Sequence, residues 1–139
     1  MKATEIPFVS HVGIEAQSSD ALQLVLTEQV SNHVGTMHAA ALFALAETQS
    51  GVLLQELFPE YGVDEVIPLL RGSSLKYHTP ASSTVIATAS VTPEDQERFL
   101  SRFERRGRAG ITVSVILQDE AGQRVMSAAF EWFVQRVSE

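Results

Sequence analysis

The sequence predicts an α+β domain in which one long apolar helix is wrapped by a curved antiparallel sheet. Two observations carry that prediction. Between Ala39 and Leu54 the only ionisable side chain is Glu47, so a helix there is apolar on nearly every side and needs covering on nearly every side. Downstream, Ile111, Val113, Val115 and Leu117 alternate, and Met126, Ala128, Phe130, Trp132 and Val134 alternate again across an Asp119-Glu120-Ala121-Gly122 turn. Period-two runs joined by a Gly-bearing turn make an antiparallel hairpin. A single curved antiparallel sheet supplies the cover that the helix needs.

The elements follow in order. Phe8 to Ala16 reads as a short lead-in strand, and Leu22, Leu24 and Leu26 alternate as a half-buried one. A polar loop, Ser31 to Thr36, precedes the helix, which runs from about Met37 to Phe58 and is ended by Pro59 and the Tyr61-Gly62 pair. Val66 to Tyr77 is extended and closed by His78-Thr79-Pro80; Ser83 to Thr92, β-branched and Ala-rich, is closed by Pro93. Pro93 suits the first position of a second helix, reaching Arg106 with Phe99, Leu100 and Phe103 on its apolar side. The hairpin completes the chain.

A chain of 139 residues, 45% apolar and 19% charged, is read as one globular domain spanning residues 1–139. It has no cysteine, which removes disulfides, a thiol nucleophile and thiolate zinc sites and fits a reducing, cytoplasmic setting. The N-terminus lacks an apolar core of signal-peptide length. Glu47, Gln49, Ser50, Gly51, Gln55 and Glu56 interrupt the 37–58 stretch, so a buried helix is expected there, not a membrane span. A net charge of −7 argues against nucleic acid. Even so, five of the ten basic residues (Arg98, Arg102, Arg105, Arg106 and Arg108) fall close together. They read either as a solvated helix face, with Glu94, Asp95, Glu97 and Glu104 as its acids, or as a seat for a phosphorylated ligand.

The chemistry concentrates in the run from Asn32 to Glu47. An acid among Ala, Leu and Phe must be neutralised, hydrogen-bonded or put to use. If Ala39 and Ala40 open the helix, their free N–H groups carry the positive end of its dipole and are placed to hold an oxyanion. Glu47 then lies about 12 Å further along the axis, too far to share a reacting carbon with those amides. Two such helices antiparallel across a two-fold axis would bring Glu47 of one beside Ala39 of the other. Asn32 taken alone is an ordinary loop or cap residue, and His38 an ordinary hydrogen-bonding residue at a helix start. Arg71 and Lys76 read as solvated strand residues, and His11 and His78 carry no signal. No Gly-x-Ser-x-Gly elbow is present, and His33 and His38 lack a third ligand at metal-site spacing, so no metal is expected.

This run resembles hotdog-fold acyl-CoA thioesterases, in the branch of the phenylacetate-degradation thioesterase. That branch has Asn, Gly three positions on, His-Gly-Gly after two more, and an Asp or Glu nine residues after the His. The matching residues are Asn32, Gly35, His38, Ala39-Ala40 and Glu47, with Tyr77-His78-Thr79-Pro80-Ala81 similar to a strand-ending Tyr-x-x-Pro-Ala segment. The resemblance implies a hotdog fold and a homodimer able to pair into a homotetramer. It implies an acyl-CoA substrate, with no cofactor beyond the coenzyme A of the substrate itself. By it, Glu47 attacks the thioester or activates water, Asn32 orients the thioester or water, and the helix-start N–H groups of Ala39 and Ala40, beside His38, polarise the thioester oxygen.

Substrate and coenzyme A contacts are placed at Gly35, Gly51, Ser73, Ser74, Arg71, Lys76, Arg106 and Arg108. The chain departs from the family in having Ala39-Ala40 for Gly-Gly, and Gly51 where relatives carry a hydroxyl one turn after the acid. Thr48, Ser50, Ser73 or Ser74 are the candidates to replace that hydroxyl. Two alternatives stand beside hydrolysis. One is a non-catalytic acyl-CoA-binding module. The other is a dehydratase pairing His33 with Glu47, fourteen residues on, although the Pro-rich loop of such enzymes is missing.

Overall fold

The computed structural model describes residues 2–62 and 64–137. Three helices, α1 (Pro7–Val12), α2 (Ala39–Glu56) and α3 (Pro93–Arg106), accompany six strands. The strands are β1 (Glu15–Ala16), β2 (Leu22–Leu24), β3 (Val66–Tyr77), β4 (Val85–Ser90), β5 (Arg108–Asp119) and β6 (Arg124–Arg136). They form one antiparallel sheet in the order β1-β2-β4-β5-β6-β3. The sheet curves around α2, giving the α+β hotdog architecture.

The long helix and the hairpin form where the periodicity places them. Leu42, Leu45, Ala46 and Leu54 of α2 are buried together with Ile111, Val113, Val115 and Leu117 of β5 and Met126, Phe130, Trp132 and Val134 of β6. Phe43 meets Phe130 edge-on at 5.6 Å between centroids. Gln49 is buried yet satisfied: its Oε1 accepts the Leu22 N–H at 2.8 Å and its Nε2 donates to the Asp20 carbonyl at 3.2 Å, tying α2 to β2. In the hairpin turn, Asp119 Oδ1 accepts from the N–H groups of Ala121 and Gln123, and Gly122 adopts φ +81°.

The second helix starts at Pro93 and ends at Arg106. Thr92 Oγ1 caps it by accepting the Asp95 N–H at 3.1 Å, and Gly107 ends it in the left-handed region. Its Phe103 stacks on Phe58, just past α2, at 5.7 Å, and its Phe99 lies tilted against the same ring at 6.0 Å. β4 pairs with β5 only between Ser114 and Asp119. The first half of β5 has no strand on that side, and α3 packs along it instead.

The N-terminal segment differs from expectation. Most of Phe8 to Ala16 is the helix α1, and only Glu15–Ala16 is strand. Pro7 at its first position fixes φ, Gly13 ends it at φ +95°, and Val9 is its buried anchor. β2 also stops at Leu24, leaving Leu26 half-buried beyond the sheet.

Candidate active site

The loop before α2 is organised by Asn32. Its Oδ1 accepts the N–H groups of Val34 and Thr36, both at 3.0 Å, and its Nδ2 donates to Thr36 Oγ1 at 2.7 Å. One amide hydrogen is left for any other partner. Gly35 sits at φ +84°, where a side chain would strain the turn. The Met37 and His38 N–H groups, donating to Ala81 and Val30 carbonyls at 2.8 Å, pin the loop to the rest of the fold.

At the helix start the N–H groups are not equivalent. His38 is the N-cap, and its Nδ1 accepts the Ala40 N–H at 2.9 Å. The Ala41 and Leu42 N–H groups both reach the His38 carbonyl. Of the first-turn N–H groups, that of Ala39 has no acceptor among the described residues, at the positive end of an 18-residue helix. Tyr77, at the end of β3, donates its hydroxyl to the Ala39 carbonyl at 3.0 Å, and burial pushes its phenol above the ordinary value.

Glu47 lies two turns along. Phe43, Glu47 and Gly51, spaced by four, share one helix face. Phe43 touches Phe130, and Gly51 lies against Trp132, so Glu47 stands over β6 between them. Burial raises its carboxyl above 4.5. The one ion pair among the described residues is Arg98–Asp95, so none of them pairs with Glu47.

Of the hydroxyls considered, Ser50 holds the turn of Glu47. Its Oγ donates to the Glu47 carbonyl at 2.7 Å and accepts the Trp132 indole N–H at 2.9 Å. Thr48 Oγ1 is spent on the Ala44 carbonyl. Ser73 pairs with Phe130 and therefore shares the face that α2 covers, whereas Ser74, opposite Ala129, and Lys76, opposite Ser127, point the other way.

Two cavities frame these residues. A cavity of about 220 Å³ beside the helix start is lined by Phe8, His11, Val12, His38, Ala40 and Ala44, among others. It depends on α1 being helical, and no sequence signal assigns Phe8, Val12 or Ala44 to a site. Another, of about 430 Å³, joins Arg71 to Arg98 and Arg102, while Lys76, Arg106 and Arg108 lie outside its lining. His33 is exposed, in the loop that Asn32 closes. Among the described residues no cluster of His, Asp or Glu could hold a metal ion, and no helix is long and apolar enough to cross a membrane.

The fold and this acid-bearing central helix place the chain in a hotdog class shared with proteins described as thioesterases. Residues 4–134 match the model of the domain of unknown function DUF4442, and the chain belongs to that family. It is similar, at 26% identity over 97% of its length and 91% of the other chain, to a protein of unknown function from Pseudomonas aeruginosa described as a probable thioesterase (TM-score 0.80). A Chlorobaculum tepidum protein of unknown function matches at 19% identity, covering 97% of this chain and 90% of that one, with a TM-score of 0.82. A Bacillus halodurans protein solved with CoA matches at 17% identity, covering 91% and 74%, with a TM-score of 0.71. No curated protein matches.

Proposed function

We propose that this protein is a cytoplasmic acyl-CoA thioesterase that works as a homodimer, with Glu47 of one protomer acting beside the Ala39 N–H of the other. The observation that carries this reading is the pairing of an unneutralised, burial-raised carboxylate on α2 with a free N–H at the start of the same helix. A base poised above the ordinary carboxylate range is suited to activating water, and a free amide at a helix start is suited to a developing oxyanion. They lie about 12 Å apart along one helix, so the reading needs a second copy.

The edges of the sheet support such a pairing. β1, at one edge, is two residues long, whereas β3, at the other, offers 12 residues paired on one side only. A long open edge is a template for a further strand, and two β3 edges meeting about a two-fold axis would make one continuous sheet. Ile67 and Leu69, 49% and 50% exposed on β3, are where two such dimers would meet in a tetramer. The CoA-bound relative from Bacillus halodurans supports coenzyme A as the thiol half of the substrate. The 220 Å³ cavity beside His38 and Ala40 is the seat for the acyl group.

A second reading, a non-catalytic acyl-CoA-binding module, draws on two contacts: His38 occupies the Ala40 N–H, and Asn32 spends most of its amide on its own loop. Thiol release from a panel of short, long and aryl acyl-CoA esters, the phenylacetyl ester included, separates the two. Turnover of any ester supports the thioesterase. Tight binding of the esters with no turnover overturns it in favour of the module.

A further inference from the structure

We propose that the outer face of the sheet carries a binding site for a phosphomonoester, distinct from the Glu47 site. In the β5–β6 register Ile111 opposes Trp132, with its side chain toward α2, and the neighbouring pairs Gly110–Phe133 and Thr112–Glu131 point to the opposite face. These four residues line the 430 Å³ cavity together with Ile111 and Trp132 between them, Asp95, Arg98, Phe99 and Arg102 of α3, and Arg71 of β3. Gly110 contributes no side chain, which leaves a hollow in the lining. Glu47 is not among the residues that line this cavity, and the two share no charged group.

The charge placement carries the assignment. The chain has 17 acids and 10 bases, yet three arginines from two distant segments converge here. A bulge between Leu70 and Gly72 leaves Arg71 outside the regular β3–β6 pairing. Its guanidinium stacks 4.2 Å over the Phe133 ring, which orients it toward the cavity's lining. Arg98 is paired with Asp95 at 3.2 Å, and that is the sole ion pair among the described residues, so Arg71 and Arg102 have no carboxylate partner there. Two planar guanidinium forks facing one hollow match the oxygens of a phosphate dianion better than ammonium groups would. Glu131, in the same lining, repels a bare anion placed against it but accepts hydrogen bonds from hydroxyl or amino groups. That selects a phosphate ester bearing donors, as in a nucleotide.

The test is calorimetric titration of the full chain with inorganic phosphate, AMP, adenosine 3′,5′-bisphosphate and free coenzyme A. It is run on the wild type, on Arg71→Gln/Arg102→Gln, and on Arg124→Gln as a basic residue outside the cavity. The expected result is binding of at least one phosphomonoester that weakens with added salt. The double variant should lose at least about tenfold in affinity, since bonds to charged groups are the strong ones, and Arg124→Gln should lose none. If inorganic phosphate binds as well as the esters, the occupant is free phosphate; if the adenosine ligands bind more tightly, it is a nucleotide. Should the double variant fail to fold, Arg102→Gln alone, on an exposed helix face, carries the same comparison. No binding to the wild type, or binding kept in the variant, overturns the proposal.

Discussion

Replacing Ala39 by proline should remove the oxyanion donor and almost nothing else. Proline lacks the N–H, and at the first position of a helix that group has no intrahelical partner to lose. Here the Ala39 N–H donates to nothing among the described residues, so no hydrogen bond breaks. The residue before a proline must be extended, and His38 already is, at φ −61° and ψ 139°. Ala39 is exposed, so the ring meets little packing. Stability should therefore change by no more than about 0.5 kcal/mol. Removing one preorganised donor to a developing oxyanion costs roughly 10²–10³ in kcat, about 2.7–4 kcal/mol. The assay is thiol release on the preferred ester beside a thermal melt of the same sample. Ala40→Pro is the contrast, since it breaks the cap bond to His38 Nδ1 and sets a proline after the helical Ala39; it should cost at least about 1 kcal/mol of stability. An Ala39→Pro variant that melts like the wild type and turns over at the wild-type rate would refute the oxyanion assignment.

Other outcomes follow from the same geometry. Ser50→Ala leaves the buried Trp132 indole N–H without its partner, which should destabilise by about 1–3 kcal/mol. In a double-mutant cycle with Trp132→Phe at fixed protomer concentration, additive effects would show that the bond does not hold the turn. Ala44→Leu places extra volume in the 220 Å³ cavity and should lower kcat/KM for the longest accepted ester by about tenfold while sparing the shortest; a uniform loss would move the acyl seat elsewhere. Because burial raises the Glu47 carboxyl above 4.5, kcat/KM should fall with acid through a midpoint above that value. The folded chain then binds its proton more tightly than the unfolded chain, so this group's stabilising contribution is complete below the unfolded value and fades as pH rises through the folded one. Glu47→Gln should accordingly gain stability over the wild type from acid to neutral pH, read from paired melts. A constant difference across that range would mean that burial of Glu47 carries no linkage.

How much of this was legible in the chain depended on the range of the interaction. α2, α3 and the hairpin are written locally, in Glu47 as a lone charge, in Pro93 as a start, and in alternation around the Asp119–Gly122 turn. α1 was misread because its six residues are too few for a period to show; the readable cue was the punctuation of Pro7 and Gly13. The six-strand order, with β3 at an open edge, is set by long-range pairing that no local window contains. The same holds for Arg71 meeting Arg98 and Arg102 across the outer face. At the candidate site, the family resemblance singled out Asn32, His38 and Glu47, but it could not reveal that His38 takes the Ala40 N–H or that Asn32 folds back on Thr36. Those are rotamer choices, and sequence spacing does not encode them.

The central claim is that each site is shared, Glu47 from one protomer and the Ala39 N–H from its partner, and mixed dimers test it directly. Glu47→Gln and Ala39→Pro chains carrying different tags are co-expressed, and the mixed species is purified through both tags. One of its two sites then carries both substitutions and the other carries neither, so the mixed dimer should regain about half the wild-type turnover, although each parent homodimer is nearly inactive. A mixed dimer as inactive as its parents, or failure to obtain any species carrying both tags, would contradict the account.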